Sequence, residues 1–173
     1  MKGFHIGLAS VQMLSHKLDP MVTLIGQGPE SHALVAQAKQ STFDVKFLEP
    51  VTYPSEFFAV IDQQDLVLLT NLNDEQPRLL FDALCRGALP VCPDSEAYKA
   101  LGLDPRLLYR QGDAASLAEA ITVLADPSTR ADVMESTKLI LGRYTLGAMH
   151  DERLAWMLAS IRVGRLSQSD FSR

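Results

Sequence analysis

Short apolar runs of strand length alternate along this chain with stretches of helical periodicity. Residues 66–70 form an apolar run, residues 78–86 repeat apolar positions every three or four residues, and residues 89–93 are apolar again. This succession predicts strand, helix and strand. Pro77 and Gly87 lie where the first helical residue and the residue past the helix end are expected. Two parallel strands joined through a helix form a right-handed crossover unit.

The same alternation extends over the rest of the chain. Further strands are predicted at residues 21–25, 45–48 and 107–109, the first of them buried. Further helices are predicted over residues 1–15, 30–40, 57–61, 96–101, 113–126, 128–141 and 146–161. No strand is predicted ahead of the first helix, where an α/β sheet usually has one. The pattern therefore predicts an α/β fold with a doubly wound, mostly parallel sheet that is Rossmann-like.

Length and composition fit a single domain. The chain has 173 residues, of which 47% are apolar, and a net charge of −5. We expect one domain over residues 1–163 and a loose, polar C-terminal tail over residues 164–173. The negative charge argues against a nucleic-acid partner. The two cysteines, Cys85 and Cys92, are expected to be reduced and buried.

The hydrophobic pattern gives no indication of membrane insertion. No apolar run approaches the roughly 18 residues of a membrane span, so no transmembrane segment is expected. The N-terminus lacks the charged and apolar regions of a signal peptide. We therefore expect a cytoplasmic protein. Peripheral attachment to a membrane through a partner stays open.

The loop after the central strand is the first candidate site. Ligands of open parallel sheets bind outside the carboxyl ends of the strands, which here means residues 70–76. This loop and the helix after it carry two carboxylates, Asp74 and Asp82, with seven residues between them. An exposed helix start also presents unpaired N–H groups and a partial positive charge, which attract anions. Asp74 and Asp82 could equally be ordinary solvated acids.

Residues 74–91, which read DEQPRLLFDALCRGALPV, resemble the donor-binding half of retaining glycosyltransferases of the GT-B type, group 1. That family has two glutamates with seven residues between them, followed by a Gly-x-Pro-Val turn. The register matches at Asp74, Pro77, Asp82, Ala83, Gly87, Pro90 and Val91. The similarity extends to the Gly-x-Gly-Pro turn at residues 26–29, the strand and loop at 45–51, the helix after residue 115, and Lys2 with Gly3. It covers about residues 2–160.

The resemblance implies a function in polysaccharide or glycoconjugate biosynthesis. A nucleotide-diphosphate sugar of the UDP or GDP type would be the donor, and a hexose would pass to a hydroxyl acceptor with retention. The resemblance implies neither a metal nor a covalent cofactor. It places Asp74 at the transferred sugar as the catalytic residue and Asp82 at the ribose hydroxyls. Donor binding would involve Lys2, Gly26, Gly28, Val51, Glu75, Gln76, Pro77, Arg78, Leu79 and Asp82.

Several departures from the family pattern leave two interpretations open. Aspartates replace both glutamates, and Glu75 stands where the family has glycine. The N-terminal acceptor domain has no counterpart in this sequence. The chain is then either a donor half that does not turn over alone and contacts an acceptor-domain partner through the 146–161 helix, or a degenerate, non-catalytic binding or scaffolding module. The 146–161 helix could also fold onto its own domain.

Other site types are less well supported. Gly26, Gly28 and Ser31, with Glu49 after a later strand, partly match a dinucleotide-binding fingerprint, but the third glycine is lacking. Lys2 could be an ordinary surface lysine. The four histidines are scattered without the spacing of metal ligands.

Overall fold

The computed structural model describes residues 2–74, 78–145, 147–155 and 157–158. Contacts divide the chain into two compact units, residues 1–137 and 138–173. The strands and the candidate site belong to the first unit. The second unit contains the end of one helix and the helical residues 147–155.

In the described part of the chain, five strands form two parallel sheets. They are β1 (Met21–Ile25), β2 (Asp44–Leu48), β3 (Leu66–Leu68), β4 (Leu89–Pro93) and β5 (Leu108–Tyr109). β1 pairs with β2, and β4 lies between β3 and β5; every pairing is parallel. The predicted α/β, Rossmann-like fold with parallel strands is therefore confirmed.

Helices connect these strands in the predicted order. They are α1 (Phe4–Leu14), α2 (Ser31–Lys39), α3 (Ser55–Ile61), α4 (Arg78–Arg86), α5 (Glu96–Lys99), α6 (Ala114–Leu124) and α7 (Pro127–Arg143), with a 3-10 turn at Pro105–Leu107. Helix α4 buries Leu80, Ala83 and Leu84. Every residue of β4 is buried because this strand has a neighbour on each side.

Helix α1 buries one face, as its periodicity predicts. Ile6, Leu8, Val11 and Leu14 are all buried, and the helix packs against α2 and α6. The hydroxyl of Ser10, which is also buried, donates a hydrogen bond to the carbonyl oxygen of Gly7 at 2.8 Å. The helix therefore covers apolar surface that the domain would otherwise expose.

Strand β1 is less buried than the sequence predicts. Val22, Thr23, Leu24 and Ile25 are half-buried, and Met21 is 83% exposed. The expectation of a buried strand was wrong because β1 pairs only with β2: among the described residues no strand lies along its other edge. A strand paired on one side keeps an open edge.

Three helix ends show how local sequence sets the boundaries. Gly87 follows α4 with φ +83°, and the Asp113 carboxylate caps α6 by accepting the N–H groups of Ala115 and Ser116. The glycine after α4 and a helix start near residue 113 are both predicted. Helix α7 begins at Pro127, one residue before its predicted start at residue 128. The carboxylate of Asp126 accepts both the Thr129 N–H (2.8 Å) and the Ser128 hydroxyl (2.5 Å). Asp126 is the cap because it precedes the helix, whereas Ser128 lies within it.

The cysteines differ from each other. Cys92 is buried in β4, whereas Cys85 is exposed on α4. The expectation that both are buried was therefore wrong for Cys85, since it lies on the face of α4 opposite Leu80 and Ala83. Burial raises the pKa of the Cys92 thiol far above its ordinary value.

The second unit confirms part of the predicted C-terminal helix. Residues 147–155 are helical, and Leu154, Met157 and Leu158 are each about half exposed. Leu146, Trp156 and residues 159–173 lie outside the described residues, so the end of this helix and the tail predicted at 164–173 stay predictions. Among the described helices, none combines the length and apolar character needed to cross a bilayer.

Candidate donor-binding site

Three loops follow the carboxyl ends of β1, β2 and β3, where the sequence predicts the site. They are residues 26–30, 49–54 and 69–74. The loop after β3 leads into α4, whose first described residue is Arg78. Glu75, Gln76 and Pro77 belong to the predicted site but lie outside the described residues.

The loop after β1 forms one wall of an open cavity of about 460 Å³. Gly26 has φ +126°, and its N–H donates to the carbonyl oxygen of Leu48 at 3.0 Å. The Gly28 N–H donates to the hydroxyl of Ser31 at 3.0 Å, at the start of α2. The side-chain amide of Gln27 donates to the carboxylate of Glu49. Two of the predicted donor-binding residues, Gly26 and Gly28, thus line one cavity.

Lys2 lies at the carboxyl end of β3. Its carbonyl oxygen accepts a hydrogen bond from the hydroxyl of Thr70 at 2.7 Å. The next residue, Gly3, has φ +65°, and a Cβ added there would lie 2.1 Å from the carbonyl oxygen of Thr70. The N-terminal segment is therefore fixed against the loop that leads to α4.

Tyr53, Arg78 and Asp82 form a cluster at the start of α4. The Arg78 guanidinium lies over the ring of Tyr53, 4.3 Å from its centroid, and its Nε is 3.5 Å from Asp82 Oδ2. The hydroxyl of Tyr53 donates to Asp82 Oδ1 at 3.5 Å. The Arg78 side chain is 72% exposed and that of Asp82 only 12%. A partly sheltered carboxylate beside an exposed guanidinium can accept hydroxyl donors and attract an anion at the same place.

The loop after β2 is held by a carboxylate. The Thr52 N–H donates to Oε2 of Glu56 at 2.7 Å, and this bond holds the pKa of the Glu56 carboxyl below its ordinary value. The rings of Tyr53, Phe57 and Phe58 pack together, with centroids 5.4–6.2 Å apart. Val51, predicted at the nucleotide base, is half-buried in this loop.

Asp74 has partners of its own. Its Oδ1 accepts a hydrogen bond from the hydroxyl of Ser95 at 2.7 Å and a longer one from the N–H of Ala97 at 3.3 Å. These donors come from the start of α5, so Asp74 links the loop after β3 to the segment after β4. Leu79 is half-buried and packs on a cluster that includes Ile61 and Ala83. Only its backbone therefore belongs to the predicted site.

A buried polar network that the sequence analysis missed supports the loop after β3. The hydroxyl of Tyr98, which is fully buried, donates to Oδ1 of Asn71 at 3.1 Å. The side-chain nitrogen Nδ2 of Asn71 donates to the backbone carbonyl oxygen of Asn73 at 2.9 Å. The side-chain nitrogen of Gln111 donates to the backbone carbonyl oxygen of Asn71 at 3.2 Å. The only sequence signal for this network was the position of Asn71 directly after a predicted strand. Two of its partners, Tyr98 and Gln111, come from segments distant in sequence.

A metal site does not emerge from the described part of the chain, where no three His, Cys, Asp or Glu side chains are grouped to hold an ion. Among the described residues, the charged groups predicted for the site are those of Lys2, Arg78, Asp74 and Asp82. They lie on two loops and one helix at the same end of the strands.

Comparisons with known proteins connect this arrangement to one fold. No protein-family model matches the chain, and no curated protein sequence matches it. Several solved structures, in contrast, do match the chain. The catalytic domain of a Helicobacter pylori cholesterol-α-glucosyltransferase aligns with 83% of this chain and 91% of its own, at 19% identity and a TM-score of 0.74.

Two further structures give a similar result. HepE from Anabaena, solved in complex with UDP, aligns with 92% of this chain at 20% identity and a TM-score of 0.73. This chain spans only 45% of the length of HepE. The C-terminal domain of LpcC, a group 1 glycosyltransferase of Francisella tularensis, aligns with 83% of this chain at 14% identity and a TM-score of 0.70. This chain has the α/β, Rossmann-like fold of one half of a GT-B glycosyltransferase.

Proposed function

We propose that this chain is the donor-binding half of a glycosyltransferase that uses a nucleotide-diphosphate sugar. The observation that carries the proposal is the cluster of Tyr53, Arg78 and Asp82 at the carboxyl edge of the sheet. It combines an exposed cation, a sheltered carboxylate and an aromatic ring at one helix start. A nucleotide diphosphate has an anion, a pair of hydroxyls and a flat base that suit these three groups.

The diphosphate would bind at the start of α4. Backbone N–H groups in the first turn of a helix are unpaired and carry a partial positive charge. Arg78 would add a planar cation that matches phosphate geometry. Lys2, held near the carboxyl end of β3 by Thr70, would add a second positive charge. The glycine backbone at Gly26 and Gly28 would border the anion from the neighbouring strand.

The nucleoside would bind between α4 and the loop after β2. Asp82 would accept the ribose hydroxyls, since its carboxylate already accepts hydroxyl and guanidinium donors in this position. The base would lie against residues 51–53. Tyr53 is 47% exposed and would contact the base with the part of its ring that Arg78 leaves uncovered, and Val51 would add apolar contact.

The sugar would face Asp74. The bonds from Ser95 and Ala97 would hold the Asp74 carboxylate in one orientation. We propose that a hexose passes to a hydroxyl acceptor with retention, the departing phosphate assisting the acceptor. An N-terminal acceptor-domain partner that contacts the 146–161 helix would supply the other half of the site, so the chain alone would not turn over.

One observation favours a second candidate function. The two donors to Asp74 belong to the start of α5, and a carboxylate that accepts hydrogen bonds at a helix start can serve the structure alone. Together with Glu75 in place of the family's glycine, this supports a non-catalytic module that retains the fold and binds a partner. A carboxylate at position 75 would oppose an anionic donor in a partly closed site.

Calorimetric titration with UDP and GDP, without metal and at low salt, tests the donor site. We expect one nucleotide to bind with a micromolar to low millimolar dissociation constant. Asp82→Ala should weaken it about tenfold or more, because it removes hydrogen bonds to a charged acceptor. Asp44→Ala is the matched control: it removes an exposed carboxylate at the amino end of β2 and should leave binding unchanged.

The same titration separates the two candidates. No heat at several millimolar nucleotide, with both variants folded by circular dichroism, would exclude a donor site in this chain. Restored binding in Glu75→Gly would then identify a decayed site and favour the non-catalytic module. Equal weakening by Asp82→Ala and Asp44→Ala would show that the loss is not specific to the proposed site.

A further inference from the structure

A closed circuit of hydrogen bonds connects the Asp74 carboxylate to the buried core. The hydroxyl of Tyr98 donates to Oδ1 of Asn71 at 3.1 Å, and Nδ2 of Asn71 donates to the carbonyl oxygen of Asn73 at 2.9 Å. The next residue is Asp74, whose Oδ1 accepts the hydroxyl of Ser95 at 2.7 Å. The N–H of Tyr98 donates to the carbonyl oxygen of Ser95 at 3.1 Å and closes the circuit. We call these five residues the Asp74 circuit.

Gln111 links the same two segments a second time. Its side-chain nitrogen donates to the carbonyl oxygen of Asn71 at 3.2 Å, and its N–H donates to Oδ1 of Asp94 at 3.1 Å. The following residue, Gly112, has φ +80°, and a Cβ added there would lie 3.7 Å from the Leu72 side chain. The loop after β3 is therefore attached both to the segment after β4 and to the segment after β5.

The Asp74 circuit runs from the core to the surface. Tyr98 is fully buried and Asn71 is buried, whereas Asn73 and Asp74 are exposed. Buried polar groups that satisfy one another make a network rigid, because breaking any one bond leaves a costly unpaired group. The core thus determines where an exposed carboxylate lies on a surface loop, where a side chain is ordinarily mobile.

The circuit also orients the carboxylate. The hydroxyl of Ser95 and the N–H of Ala97 both donate to the same oxygen, Oδ1 of Asp74. A carboxylate is planar and has about four lone-pair positions, so holding Oδ1 also determines where Oδ2 points. Hydrogen bonds to a charged acceptor are short and strong. A carboxylate held in this way can accept hydroxyl donors from a sugar without first being ordered.

We propose that Asn71 and Tyr98 are positioning residues for Asp74. Together with Ser95 they hold its carboxylate for the hydroxyls of the donor's sugar. This inference rests on the proposed donor site, and it divides the work of that site between two groups of residues. The Asp74 circuit serves the sugar, whereas Arg78 and Asp82 serve the nucleotide.

The affinity for a sugar nucleotide relative to that for its own nucleotide diphosphate tests this division. Calorimetric titration of the full chain gives the dissociation constants of UDP-glucose and UDP, and of GDP-mannose and GDP. Asp74→Ala is the reference variant. For the pair that binds, it should raise the ratio of the sugar nucleotide's constant to the diphosphate's constant about tenfold or more, because hydrogen bonds to a charged acceptor are lost.

Two variants open the circuit without changing Asp74 itself. Tyr98→Phe and Ser95→Ala should each raise the same ratio about three- to tenfold and leave the constant of the diphosphate unchanged. The double variant should raise the ratio no further than the larger single effect, because either substitution already opens the circuit. Ser95 is only half-buried, so Ser95→Ala tests the circuit even if Tyr98→Phe does not fold.

Tyr109→Phe is the matched control. Tyr109 is buried like Tyr98, and its hydroxyl donates over the same distance, 3.1 Å, to the carbonyl oxygen of Leu69, outside the circuit. Both tyrosine substitutions remove one buried donor, and both should lower the midpoint of urea unfolding by similar amounts. Only Tyr98→Phe should change the ratio of dissociation constants, since a purely structural role would affect the two variants alike.

Three results would overturn the inference while the nucleotides still bind and the proposed donor site stands. The first is a ratio that neither Tyr98→Phe nor Ser95→Ala changes. The second is an equal change in Tyr98→Phe and Tyr109→Phe. The third is a ratio that Asp74→Ala leaves unchanged for both pairs, which would mean that Asp74 does not contact the sugar. Absence of binding by all four ligands would instead refute the proposed donor site, and this inference with it.

Discussion

The fixed N-terminal segment gives a sharp prediction at Gly3. This residue has φ +65°, and a Cβ there would lie 2.1 Å from the Thr70 carbonyl oxygen and 3.2 Å from its carbonyl carbon. Gly87 also has a positive φ, +83°, but no described atom lies within 4 Å of its added Cβ. The variants Gly3→Ala and Gly87→Ala therefore share backbone strain and differ in steric conflict.

The expected magnitudes follow from these two terms. Alanine in a left-handed conformation costs about 1–2 kcal/mol, which is the whole cost expected for Gly87→Ala. Gly3→Ala must also move residues 2–3 away from Thr70. That movement breaks the hydrogen bond from the Thr70 hydroxyl to the Lys2 carbonyl, at about 1 kcal/mol. The free energy of unfolding should therefore fall by about 2–4 kcal/mol, and detachment of the segment sets the upper limit.

Urea unfolding followed by far-ultraviolet circular dichroism measures both variants against the unchanged chain. For a protein of this size, each kcal/mol also corresponds to about 2–4 °C in Tm. Equal destabilisation by the two variants would refute the reasoning. A neutral Gly3→Ala would do so more strongly, since it would mean that the segment does not lie against Thr70 in solution.

Three further predictions concern the rest of the first unit. Tyr98→Phe leaves the Asn71 side-chain oxygen without its buried donor and should lower the free energy of unfolding by about 1–3 kcal/mol; a midpoint in urea equal to that of the unchanged chain would contradict this. Hydrogen bonds from the N–H of Ser116 and then from that of Ala115 lower the pKa of the Asp113 carboxyl. The ionised carboxylate therefore stabilises the folded chain at neutral pH, and this stabilisation is lost as the pH falls through and below the ordinary pKa of 3.8. The advantage of the unchanged chain over Asp113→Asn, taken from urea midpoints at pH 6 and pH 3, should shrink at pH 3. Cys85 should react with a thiol reagent in the folded protein and Cys92 only after unfolding, which mass spectrometry of the labelled peptides would show.

Most of the elements could be predicted from the sequence because their signals are local. The strand at residues 21–25 and the glycine after α4 follow from patterns a few residues long. The cap of α7 could not be chosen reliably, because Asp126 and Ser128 are both good cap residues two positions apart. The burial of β1 could not be predicted at all, since it depends on which strands are its neighbours.

The place of the candidate site in the fold could be inferred from the sequence, but the contacts among its side chains could not. Strand order and loop placement indicate the carboxyl edge, and the structure has the loops there. The contact of the Arg78 guanidinium with the Tyr53 ring joins residues 25 positions apart in sequence. The hydrogen bond from Ser95 to Asp74 joins residues 21 positions apart. Such contacts depend on tertiary packing, and periodicity carries no information about them.

NMR chemical-shift mapping with UDP and GDP would show whether a nucleotide binds at the carboxyl edge of the sheet. We expect the largest backbone shifts at Gly26, Gly28, Tyr53, Leu79 and Asp82. The amides at the amino ends of the strands should stay unchanged. No shifts at several millimolar of either nucleotide, or shifts confined to the amino ends of the strands, would contradict it.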